Sequence, residues 1–134
     1  MMLPLFLIGV LSVFTQTFLL REVFLVFSGN ELSTGLLLSS WMLWIGAGVS
    51  FSRRHGNLAL YSILYLLFFP IALFFTYSVK TLFHIGSGEI AGVPVILFTS
   101  FVILSPLFFM LGCIFGRGMK EWEEEESIRG FIRP

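Results

Sequence analysis

Four stretches of this chain, residues 1–20, 32–52, 55–79 and 90–116, contain no Asp, Glu, Lys or Arg. The shortest is 20 residues long, and at about 1.5 Å per residue a helix of that length crosses a hydrocarbon core of about 30 Å. A chain of 134 residues, 57% hydrophobic and 12% charged with a mean hydropathy of +0.95, cannot hide that much apolar surface in a core of its own. Lipid must therefore be the solvent for most of it. A lipid-embedded backbone has no water to bond to, and the runs lack the apolar–polar alternation of a membrane barrel, so each span must be helical. The expectation is an all-α integral membrane bundle of four transmembrane helices, at about 3–27, 32–51, 58–77 and 93–116. They fill a domain of residues 1–118, and an acidic tail follows at 119–134.

The charges between the runs orient the bundle. Eight basic residues balance eight acidic ones, so no net field points to nucleic acid. With both termini in the cytoplasm, Arg53, Arg54, Arg117, Lys120, Arg129 and Arg133 lie inside, whereas Lys80 lies outside with Arg21 near that interface. The expected location is a prokaryotic inner membrane. The first run lacks the preceding basic residues of a secretory leader and continues to Phe27, so it reads as a retained helix.

Within helix one, Ser12, Thr15, Gln16 and Glu22 return to one face and should look toward protein. An ionisable pair at Arg21–Glu22 in such a helix is costly in the bilayer interior and cheaper near an interface. Asn30 and Glu31 cap the start of helix two, where a negative charge meets the positive end of the helix dipole. Gln16, Arg21, Glu22, Asn30 and Glu31 thus form a candidate polar cluster at one membrane edge. It reads either as a structural anchor or as part of a substrate, ion or proton path. An Arg21–Glu31 pair across the hairpin is sterically possible.

Gly46, Gly48 and Ser50 on helix two, and Gly112 and Gly116 on helix four, are small residues at spacings that let helices approach closely. Gly112 to Gly116 matches the GxxxG pattern. The proline at 94 suits a first helical turn, whereas Pro70 and Pro106 fall inside helices and should bend them. Cys113 has no partner in the chain and reads as a small packed residue. His55 and His84 fall on opposite sides, so they cannot share one haem, and no cofactor, metal or catalytic constellation is evident. The 17 phenylalanines, with Trp41, Trp44 and the tyrosines, read as lipid-facing and packing bulk. The acidic run Glu123, Glu124, Glu125 and Glu126, beside Trp122, reads as a solvated face or as a docking segment for a soluble partner.

The segments Gln16-Thr17-Phe18-Leu19-Leu20-Arg21-Glu22 and Phe27-Ser28-Gly29-Asn30-Glu31-Leu32-Ser33-Thr34-Gly35 resemble the start of membrane-integrated spermidine-synthase-like proteins. The likeness continues through residues 41–48 and, more loosely, from Ser105-Pro106-Leu107 to Gly112 and Arg117, covering somewhat under half the chain. It implies a transporter-like helical region, which in fused members precedes a soluble aminopropyltransferase-type domain. The residues after Arg117 have no strand–helix alternation, no glycine-rich nucleotide turn and no polyamine-binding acidic pair, so the enzymatic activity does not carry over. The expectation is a noncatalytic membrane subunit that packs on partner helices or on a second copy to assemble or anchor a larger complex, respiratory or electron-transfer among them. The alternatives are a half-transporter completed by oligomerisation and a membrane anchor for a separate soluble enzyme.

Overall fold

A computed structural model describes residues 2–27, 31–53, 56–84 and 92–132 of the chain. These residues are helical almost throughout, with no strand among them. Helix α1 covers Met2–Phe27, α2 Glu31–Ser52, α3 Leu58–Leu82, α4 Val93–Phe98 and α5 Ser105–Ile132, with a π-helical segment, Thr99–Ile103, between the last two. Four lengths are long and apolar enough to cross a bilayer: Phe6–Phe27, Glu31–Ser52, Leu58–Val79 and Val93–Glu125. Their outward faces are apolar, as lipid requires, with Phe14, Met42, Leu66 and Phe74 each more than 60% exposed.

The caps follow from local chemistry. Asn57 is extended and its Oδ1 accepts from the Ala59 N–H at 3.0 Å, which starts α3. Before it, Gly56 has φ +110°, and the Tyr61 ring fills the space that a Cβ there would need. Pro94 sits in the first turn of α4, where its missing N–H costs nothing.

The fourth span is not the single regular helix 93–116 that the apolar run suggests. Pro106 cannot donate to the Val102 carbonyl, and its ring would crowd that carbonyl in a regular helix. Upstream, the turn widens, and the Leu104 N–H reaches back to the Thr99 carbonyl at 3.1 Å. The Ser105 hydroxyl takes over the abandoned Val102 carbonyl at 2.8 Å. Pro106 therefore ends up at the start of α5, with its backbone deficit repaired locally. By contrast, α3 runs through Pro70 and continues past residue 77 to Leu82. Likewise, α5 continues through the charge-rich segment to Ile132, supported by Arg117–Glu121 and Lys120–Glu124 pairs one turn apart at 3.3 and 3.8 Å.

Contacts between the spans define their directions. Ser40 bonds to the Ser100 carbonyl, the Cys113 thiol lies 3.4 Å from the Gly48 carbonyl, and Lys120 Nζ reaches the Arg53 carbonyl at 3.3 Å. Both chains advance together through these pairs, so α2 and the fourth span are parallel. Thr15 with Tyr65 and Glu22 with Tyr77 make α1 and α3 parallel in the same way. All four spans therefore alternate in direction. The α1–α2 and α3–α4 connections share one end of the bundle, here the loop end, and α5 leaves at the opposite, tail end.

The closest seam is α2 against α5. A Cβ on Gly48 would run into the Phe109 carbonyl and come within 3.0 Å of the Cys113 nitrogen. One on Gly112 would lie 2.8 Å from the Ile45 Cα, and one on Gly116 would lie 2.9 Å from the Val49 Cα. At these three positions backbone meets backbone, the close approach that small residues permit. Gly46 and Ser50 do not join this seam: a Cβ on Gly46 meets nothing within 4 Å, and Ser50 is exposed, its hydroxyl turned to its own helix at the Gly46 carbonyl, 3.0 Å away. Helical periodicity puts 46 and 50 on the side of α2 opposite Gly48.

Substitution separates these two faces. Gly112→Ala should destabilise the bundle by about 1–3 kcal/mol through overpacking. Gly46→Ala should leave stability unchanged or raise it by up to about 1 kcal/mol through helix propensity alone. Reversible unfolding in mixed micelles, followed by helical circular dichroism, measures both.

Candidate functional site at the loop end

The polar cluster expected from the sequence is divided by the fold. Glu22 is buried, 6% exposed, and its carboxylate accepts a hydrogen bond from the Tyr77 hydroxyl. Arg21 points outward and is exposed, close enough for its charge to act on the Tyr77 phenol. Gln16 is half-buried, and Glu31 is exposed in the first turn of α2. Asn30 lies outside the described residues. Among the described residues, no ion pair involves Arg21, Glu22 or Glu31, so the Arg21–Glu31 pair is not formed. The neighbouring charges of Arg21 and Glu22 are separated by helix geometry: successive residues point about 100° apart, and only Glu22 shares a face with Thr15 and Leu19.

That face of α1 is tied to α3 twice. Thr15, 1% exposed, shares a hydrogen bond with Tyr65, and seven residues on Glu22 shares one with Tyr77. Leu19, between them in sequence and on the same helix face, is 1% exposed and belongs to the buried core. The expectation that the Ser12–Thr15–Gln16–Glu22 stripe faces protein thus agrees with the burial of Thr15 and Glu22, with Ser12 and Gln16 at its half-buried margin.

Reading the tyrosines as bulk missed their hydroxyls. All three tyrosines of the chain, Tyr61, Tyr65 and Tyr77, lie on α3. A phenol placed in a membrane helix needs a partner for its polar tip. The sequence also gave no warning of a group of small hydroxyl side chains. Ser33, Ser40, Thr76, Thr99 and Ser100 are all buried to within 1% exposure. Thr76 and Thr99 bond to their own helices, at Ala72 and Val95, and Ser40 bonds across to the Ser100 carbonyl. Among the described residues, the hydroxyls of Ser33 and Ser100 and the indole nitrogens of Trp41 and Trp44 have no hydrogen-bond partner.

At the tail end, Arg117 pairs with Glu121 and Lys120 with Glu124, while Glu123 is exposed and Trp122 and Glu125 are half-buried. The Glu126 side chain and His55 lie outside the described residues, and His84 is exposed with φ 51°. Cys113 is fully buried in the α2–α5 seam. Among the described residues, no three His, Cys, Asp or Glu side chains gather as a metal-ion site.

Comparison of the chain with protein-family models, with curated proteins and with solved structures gives no match.

A double-mutant cycle tests the α1–α3 tie. Thr15→Val and Tyr65→Phe together should show a coupling of about 0.6 kcal/mol, with about 1.7 as the upper range for such bonds in membranes. Additive effects would show that the two hydroxyls do not stabilise one another.

Proposed function

We propose that the chain is a noncatalytic integral membrane subunit, with both termini on the cytoplasmic side of a prokaryotic inner membrane, that packs against other helices to assemble or anchor a larger complex. The observation that carries this reading is the outward face of α2. Gly35 and Ser39, then Gly46 and Ser50, repeat a small-xxx-small spacing on an exposed surface, and a Cβ on Gly35 or Gly46 meets nothing within 4 Å. Both serine hydroxyls are satisfied within α2, by the Gly35 carbonyl at 2.7 Å and the Gly46 carbonyl at 3.0 Å. A partner helix would approach this face without stranding a polar group. The likeness of residues 16–22 and 27–35 to the membrane region of spermidine-synthase-like proteins supports a helical membrane role and brings no activity with it. The distribution of Arg53, Arg117 and Lys120 at the tail end supports the orientation.

Paired Gly46→Leu and Ser50→Leu substitutions should remove copurifying membrane partners, or split a homo-oligomer, while the four-span fold persists. Native mass spectrometry after extraction in mild detergent measures this. A wild-type protein that is monomeric and without partners in that experiment would sink the proposal.

A second reading, a half-transporter completed by oligomerisation, is favoured by one observation: an acid buried in the bundle and held by Tyr77 rather than by a counter-charge. In reconstituted vesicles, solute or ion flux should then fall at least tenfold in Glu22→Gln and in Arg21→Ala. Flux equal to wild type in both variants would remove this reading.

A further inference from the structure

Between α3 and the fourth span the bundle leaves a cavity of about 200 Å³. Its wall on the fourth span lies at the proline break: Ile103 is the last residue of the π-helical segment, and Pro106 and Leu107 follow in the first turn of α5. On the other side, α3 brings the single methyl of Ala72, one turn after Phe68 and one turn before Phe75 on the same helix face. Ala72 and Leu107 are buried, at 4% and 0% exposure, whereas Ile71 and Phe75 at the rim are 40% and 52% exposed. The cavity therefore runs inward from the outer surface of α3.

The chemistry of this wall limits what can occupy it. Every side chain that lines it is hydrocarbon. Thr76 and Ser105, the hydroxyl residues next to it in sequence, are each spent on a backbone carbonyl 2.8 Å away, that of Ala72 and that of Val102. A buried water needs about two to four polar partners, and this wall does not supply them. Size narrows the choice further: an apolar cavity of roughly 150 Å³ already takes a benzene ring, whereas drug-sized ligands need about 300 Å³ or more. A short segment of hydrocarbon chain matches both the volume and the polarity.

Depth supplies the source of that chain. Counted at about 1.5 Å per residue from Val79 and Val93, the loop-end limits of the two spans, the wall lies roughly 6–21 Å in, around the centre of a hydrocarbon core about 30 Å thick. What surrounds the rim at that level is the terminal half of the lipid chains.

We propose that this cavity is a binding site for the terminal part of a phospholipid acyl chain from the loop-end leaflet, which enters past Ile71 and Phe75 and packs on Ala72, Leu107 and the Pro106 ring. The chain gives these side chains the dispersion contacts that an empty cavity would forfeit. The site is separate from the exposed face of α2 and does not depend on the subunit role.

Nuclear Overhauser contacts in a bilayer test it. The full chain, deuterated except for carbon-13-labelled alanine methyls, is placed in nanodiscs of protonated dioleoyl phosphatidylcholine. The buried Ala72 methyl should show a cross peak to acyl-chain protons, which vanishes when the terminal half of each chain is deuterated and persists when the headgroup-proximal half is. Ala47, which is exposed, serves as the positive control. A cross peak at Ala47 with none at Ala72, or a contact of Ala72 with water alone, overturns the proposal. Ile71→Trp, which narrows the rim, should weaken the Ala72 cross peak at least threefold and leave that of Ala47 unchanged; an undiminished peak would mark ordinary boundary lipid and also overturn it. Should Ile71→Trp not assemble, Ile103→Phe fills the cavity from the fourth span and the same comparison decides.

Discussion

Backbone contact between α2 and α5 is the constraint on which the rest of the structure depends. Lipid gives helices no hydrophobic reason to associate, so dispersion at close range and a few polar bonds must do it. Gly48, Gly112 and Gly116 remove the side chains that would hold the two axes apart, and the Cys113 thiol and Lys120 then find acceptors across the seam. With these spans fixed in parallel, α1 and α3 have one way to complete an alternating bundle. Their own links, Thr15 to Tyr65 and Glu22 to Tyr77, follow from that placement.

The loop-end half departs from this economy. There, contacts run through hydroxyls, a phenol and an acid, and the fourth span is broken by a π turn and Pro106. Irregular backbone inside a bilayer persists where its freed groups are repaired, as Ser105 does for the Val102 carbonyl. The two halves thus differ in emphasis: the tail-end half brings α2 and α5 together at glycines, with Ser52 and the Cys113 and Lys120 contacts beside them, whereas the loop-end half holds Glu22 and most of the buried small hydroxyls. Glu22, the single buried acid among the described residues, belongs to the second.

The fold class was legible because it depends on one gross property, charge-free length, which four runs satisfy without ambiguity. Residues 112 and 116 announced a packing face through their spacing, and Gly48 did so by composition. Gly46 and Ser50 carried the same signal but lie on the opposite side of α2, because residue type shows that a helix can approach there and not which helix does. The Arg21–Glu22 pair was visible as an anomaly, yet its partner, Tyr77, stood 55 residues away and depended on how α1 and α3 align. Pro106 gave notice of a disturbance. Its form, a wide turn placed upstream of the proline, depended on Ser105 being there to take the orphaned carbonyl.

Because α5 is unbroken from Ser105 to Ile132, its 28 residues form a rod of roughly 42 Å. About half of that rod is gripped by α2, and the remainder projects past the bundle with its glutamates. Such an arm is continuous with the glycine contacts. The register set at those contacts therefore fixes where the exposed glutamates stand relative to the proline break at the far end of the same helix.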